Sequence, residues 1–134
     1  MKNIALIVVL TITCVFTNGQ NLIGYKSNEI QKYMKENRQE MNAEVVTNVS
    51  FNYLRYSDNF DTQTLLYFLD NDSICKSVKM ICDKSIKGEK IKEFNSLYKP
   101  DGENKWIDIK ESKKFLIEIR DEKWVFDVII EPVK

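Results

Sequence analysis

Phe115, Ile117 and Ile119 alternate with Leu116, Glu118 and Arg120, and no other feature constrains the fold of this chain as strongly. Successive side chains of a strand point to opposite faces. A period of two with one apolar and one largely charged set therefore describes a sheet that is dry on one face and wet on the other. Such sheets are antiparallel and can be assembled from hairpins. Residues 104–110 and 123–130 read as strands on either side of 114–120, joined by Glu111-Ser112-Lys113 and Asp121-Glu122, with Pro132 closing the last. Upstream, residues 44–56 are rich in Val, Phe, Tyr and Thr and read as a strand, and 62–69 and 74–82 read as two more. The polar runs 57–61 and 70–73 are turns between them.

Two segments keep helical spacing instead. Ser27 has the chemistry of an N-cap, and Ile30, Tyr33 and Met34 follow on one face, which predicts a helix over residues 27–40. Ile86, Ile91, Phe94, Leu97 and Tyr98 predict a second helix over 85–98. Gly88 weakens its first turn by ~1 kcal/mol relative to Ala, and Pro100-Asp101-Gly102 ends it. The expected fold is α+β: an antiparallel sheet with two helices packed on one face, in the order α-β-β-β-α-β-β-β. The halves share an element order but little residue identity, which leaves duplication and coincidence both open.

Residues 1–19 read as a signal peptide. Lys2 supplies the positive start, residues 4–12 an apolar run of nine with one Thr, and Thr17 and Gly19 the small residues before a cut at Gln20. The run is too short to span a bilayer, which takes ~20 residues. Cys14 raises a lipoprotein alternative, but Thr11-Ile12-Thr13 before it is a poor lipobox. The remaining residues 20–134 contain no linker and read as a single domain. After the cut 19 basic and 20 acidic side chains remain, a net charge of −1. That balance argues against a nucleic-acid binder or a polybasic membrane-surface protein.

The chain has no His. This removes Ser-His-Asp and Cys-His nucleophiles, the usual zinc sites and His-ligated haem. The four glycines form no phosphate-binding pattern. Cys75 and Cys82 fall in one predicted strand, seven residues and so ~23 Å apart and on opposite faces. They cannot be bridged there and read as buried free thiols. Asp58, Asp61, Asp70 and Asp72 lie in turns without calcium-loop spacing. Glu111, Glu118, Asp121, Glu122 and Asp127 are the raw material for a carboxylate-pair hydrolase, which needs no His. Trp106, Trp124, Phe126, Tyr53, Tyr56, Tyr67 and Tyr98 are core or, if exposed on a sheet face, a grip for sugar or protein. Asn48-Val49-Ser50 and Asn71-Asp72-Ser73 fit the N-glycosylation triplet.

Thr17-Asn18-Gly19-Gln20, the helix start Ile23-Gly24-Tyr25-Lys26-Ser27-Asn28-Glu29-Ile30, the Tyr67-Phe68-Leu69-Asp70 to Ile74-Cys75 hairpin and Lys105-Trp106-Ile107-Asp108 together resemble uncharacterised small exported proteins of Bacteroidota. The helix-plus-sheet layout is similar to β-lactamase-inhibitor-like folds and to small outer-membrane assembly lipoproteins. The first resemblance implies export and no activity; the second implies architecture alone. The expectation is an exported, secreted or periplasmic, non-catalytic domain. It would bind a protein or envelope component and carry no cofactor, metal or catalytic residue. A His-free carboxylate hydrolase and a structural assembly subunit are the competing readings.

Overall fold

The structure is a computed structural model and describes residues 21–47 and 52–134. Helix α1 (Ser27–Asn37) is followed by strands β1 (Met41–Thr47), β2 (Asn52–Asp58), β3 (Gln63–Leu69) and β4 (Cys75–Asp83). A 3-10 turn (Lys84–Ile86) leads into α2 (Lys87–Leu97), then β5 (Lys99–Pro100), β6 (Lys105–Lys110), β7 (Lys113–Asp121) and β8 (Val125–Pro132). All eight strands join one antiparallel sheet in the order β1-β2-β3-β4-β8-β7-β6-β5.

This corrects the expected α+β fold of two helices packed on a sheet face in the order α-β-β-β-α-β-β-β. Half of the described residues are strand and 23% helical, and each helix precedes four strands. An eleven-residue helix is ~16 Å long, whereas eight strands span ~34 Å. Two such helices cannot form a layer of equal weight. The missing strand in the first half was hidden inside residues 44–56. They contain no Gly or Pro, and their alternation runs on through what is the β1–β2 hairpin. In the second half, Lys99-Pro100 pairs with Trp106 and Ile107 where a turn was expected. Pro is tolerated there because β5 is an edge.

One face of the sheet forms the core. Leu54 stands opposite Tyr67, Tyr56 opposite Leu65, Met80 opposite Val128, and Ile117 opposite both Trp106 and Ile130. All of these are buried, and Ile30 and Met34 of α1 and Phe94 of α2 complete the same cluster. Phe94 lies 5.2 Å, centroid to centroid, from Trp106 in an edge-on contact and 5.7 Å from Tyr98.

The strand order has a two-fold character. Laying Tyr67 on Ile117 brings its neighbours Leu54 and Val78 onto Trp106 and Ile130, through matching antiparallel pairs. The fourth and eighth residues of each helix are the buried ones, Ile30 and Met34 in α1 and Lys90 and Phe94 in α2. Fourth strands β4 and β8 meet at the centre.

Cys75 and Cys82 are free, as the spacing implied, but they do not point to opposite faces. A β-bulge between the Phe68–Ser77 and Leu69–Cys75 pairs shifts the alternation. Both thiols enter the core. Burial pushes the Cys75 thiol up to about 12 and the Cys82 thiol up to about 11.

Candidate functional site

The aromatic residues divide sharply. Tyr56, Tyr67, Tyr98, Trp106 and Phe126 are core. Tyr67 donates its hydroxyl to Met34 Sδ at 3.7 Å, and the Trp106 indole N–H donates to Asn95 Oδ1 at 2.9 Å. Trp124 is exposed in the β7–β8 turn, and Phe60, exposed in the β2–β3 turn, joins it at the same end of the sheet. Tyr53 lies on the opposite face from the core, half-buried, with its ring 5.9 Å from Phe68.

The carboxylates are occupied in structural work. Asp58 accepts from the Thr62 and Gln63 amides and from the Thr62 hydroxyl, and these bonds outweigh the upward push of partial burial to lower its pKa. Asp70 accepts from the Asp72 and Ile74 amides, which ties the turn that carries Asn71-Asp72-Ser73 at the surface. Asp61 is exposed at a positive φ of 52°. Lys87 donates to Asp121 at 2.9 Å and lowers its pKa; Glu118 pairs with Arg120 at 3.3 Å and Asp127 with Lys79 at 3.6 Å. Glu111 and Glu122 are exposed turn residues. Each carboxylate that departs from its ordinary value, Glu40, Asp58, Asp83 and Asp121, departs downward. A general acid requires the opposite shift. Among the described residues no group of three or more His, Cys, Asp or Glu could hold a metal. Cys14 and the Asn48 triplet lie outside the described residues.

What the structure assembles instead is a surface. The face of the sheet away from the core carries Tyr53 of β2, Leu66 and Phe68 of β3, Ile81 of β4, Ile129 of β8, Leu116 of β7 and Ile107 of β6. All seven are half-buried, and Ile109 beyond them is 61% exposed. Neither helix contributes a buried side chain to this face. The charges interleaved with the stripe are largely paired within it: Glu44 with Arg55, Lys79 with Asp127, Glu118 with Arg120. Arg120 also stands directly opposite Asp127 in the register. The middle of the face therefore alternates apolar side chains with charges that are paired with one another.

Of the sequence candidates, only Tyr53 belongs to this surface as a residue singled out for binding; Glu118 and Asp127 belong to it as charges. Leu66, Phe68, Ile81, Ile107 and Ile129 were missed. The available signal was Leu116, the one apolar residue in the wet register of residues 115–120. The same test applied to β2, β3, β4, β6 and β8 finds an apolar residue in each outward set. No family model, no curated protein and no solved structure matches the chain. No described helix is long and apolar enough to cross a membrane.

Proposed function

We propose that the protein is an exported, non-catalytic binding module whose uncovered sheet face holds a protein partner. The observation that carries this reading is the set Tyr53, Phe68, Leu66, Ile81, Ile129, Leu116 and Ile107 on one uncovered face, half-buried and interleaved with charges already paired with one another. Apolar side chains gathered on a face that no other element covers mark interaction sites. Aromatic residues are enriched at protein interfaces, and Tyr53 and Phe68 stand side by side at one end of the stripe. The sheet spans ~34 Å, and a standard interface buries ~800 Å² per partner, which a face of this width can supply. A nucleic acid or an anionic membrane surface would require an unpaired basic field there. Export rests on residues 1–19, which lie outside the described residues, and on the residue pattern alone.

Photocrosslinking tests the reading. A photoreactive amino acid at Ile107 or Leu116, in the native host, is expected to capture a discrete protein, and Leu116→Glu with Ile129→Glu is expected to abolish capture while urea stability is retained. Equal capture by the double variant would overturn the assignment of the face.

A further inference from the structure

A second site lies at the tip of the β6–β7 hairpin and has different chemistry. A cleft of about 760 Å³ opens between the Ile23-Gly24-Tyr25 turn, the β6–β7 hairpin and the end of β8. Its apolar lining includes Ile23, Tyr25, Phe115 and Val133; Lys110, Lys113 and Lys114 line it as well, against one acid from the hairpin, Glu111. The wall formed by the turn is fixed. Tyr25 N–H donates to Leu22 O at 3.1 Å, Gly24 N–H to Cys75 O at 2.8 Å and Cys75 N–H to Tyr25 O at 2.9 Å. Gly24 has φ +92°, which a side chain would strain.

The lysines are placed against the ordinary logic of a hairpin. Lys110 and Lys113 are direct cross-strand partners on the core-facing side of the two-residue turn Glu111-Ser112. Like charges in that position repel. Lys110 is nevertheless held, its Nζ donating to Asn21 O at 3.1 Å and lying 4.3 Å from the centre of the Tyr25 ring. Asp108, two residues away on the same side, forms no ion pair with Lys110; its carboxylate accepts a hydrogen bond from Asn21 Nδ2 at 2.6 Å. Lys113 and Lys114 have no ion-pair partner among the described residues. The fold does not demand this arrangement. In the two-fold-related β2–β3 hairpin the equivalents of Lys110 and Lys113 are Asp58 and Gln63, and they close the turn with a hydrogen bond of their own.

We propose that this cleft binds a small organic anion, a carboxylate or phosphate monoester carried on an apolar or aromatic body. The paired ammonium groups of Lys110 and Lys113 receive the anion, and Tyr25, Ile23 and Phe115 receive the body. Bound anion would relieve the repulsion between the two lysines, so the cost of placing them together is recovered only in the complex.

Phenyl phosphate is the probe, titrated into ¹⁵N-labelled protein and followed by amide shifts. The shifts should concentrate on Tyr25 and residues 110–115, weaken as salt rises, and require both halves of the ligand: phenol and inorganic phosphate should each bind at least tenfold more weakly. Lys110→Gln with Lys113→Gln should weaken phenyl phosphate at least tenfold while the urea midpoint stays level or rises. Lys113→Glu, which restores a normal cross-strand pair, should do the same. Leu66→Glu with Ile81→Glu should leave this binding intact, since those residues lie on β3 and β4, away from the β6–β7 hairpin. Unchanged affinity in the lysine variants, shifts spread over all surface lysines, or inorganic phosphate binding as tightly as phenyl phosphate would each overturn the proposal.

Discussion

Replacing Phe94 with Ala tests where the stability of this fold is held. Phe94 is fully buried on α2, with its ring against Tyr98 and Trp106. Deleting a buried Phe costs ~3–5 kcal/mol, and the figure depends on how far the surroundings collapse. Collapse is restricted here. Trp106 is held by its indole hydrogen bond to Asn95 and by its register with Ile117, so the cavity persists. Loss of two aromatic contacts, each ~0.5–1.5 kcal/mol, argues for the upper part of the range, ~4 kcal/mol. With a urea m-value of ~1.5 kcal/mol/M for a small domain, the midpoint should fall by about 2–3 M. Glu118→Ala is the control. Its partner Arg120 is half-exposed, and surface pairs contribute ~0–1 kcal/mol. A loss below ~1 kcal/mol for Phe94→Ala at unchanged m would refute the reasoning, because it would mean that α2 does not anchor the core.

Lys90→Met should be neutral or raise stability by up to ~1 kcal/mol in the same melts, because Lys90 is 8% exposed and its partner Glu93 keeps access to water. Thiol reagent at pH 8 should find Cys75 and Cys82 unreactive in the folded protein and both free after denaturation without reductant; a Cys75–Cys82 bridge would contradict their separation. Both thiols are raised by burial, so the unfolded state loses its protons first. Their contribution is intact below pH ~9, and stability falls as pH rises from there toward about 11 for Cys82 and about 12 for Cys75; Cys82→Ala should flatten that fall, and an unaltered slope would count against it. Intact-mass measurement of protein from its own host should give an N-terminus at Gln20, and full-length protein beginning at Met1 would refute export.

Much of the sheet was legible because burial writes itself into period two. Phe115, Ile117 and Ile119 are core, as their alternation predicts, and Phe94 and Tyr98 are buried at helical spacing. Three features were not legible, each for a local reason. The β1–β2 hairpin was hidden because residues 44–56 carry no Gly or Pro to mark a turn. The face of Cys75 was misassigned because a bulge at the start of β4 is a property of strand pairing, and alternation alone does not encode it. Lys90 was invisible as a core position because its long stem can be buried while its ammonium finds Glu93 at 3.2 Å. The binding stripe was half visible. The strands β2, β3, β4, β6, β7 and β8 each show an outward apolar residue, but only the register shows that these residues share one face with paired charges between them.

The two-fold character of the sheet separates what folding requires from what it does not. Positions that must be apolar are apolar in both halves: Leu54 and Trp106, Tyr67 and Ile117, Val78 and Ile130, Met34 and Phe94. The central pair β4–β8, where the halves meet, places Ile81 opposite Asp127 and Ile129 opposite Lys79 on the open face, so apolar and charged side chains alternate across the join. Burial of the core cannot account for residues on that face, because they point away from it. Nor can it account for the hairpin tips, where one half has Asp58 and the other Lys110 on the same scaffold position. Asp58 caps its own turn whereas Lys110 faces a like charge, so stability accounts for the first tip and not for the second. The choice at the second tip must then come from what it meets. By this argument the uncovered face and the lysine cleft are the two regions of the molecule whose chemistry is free to be set by a partner or ligand.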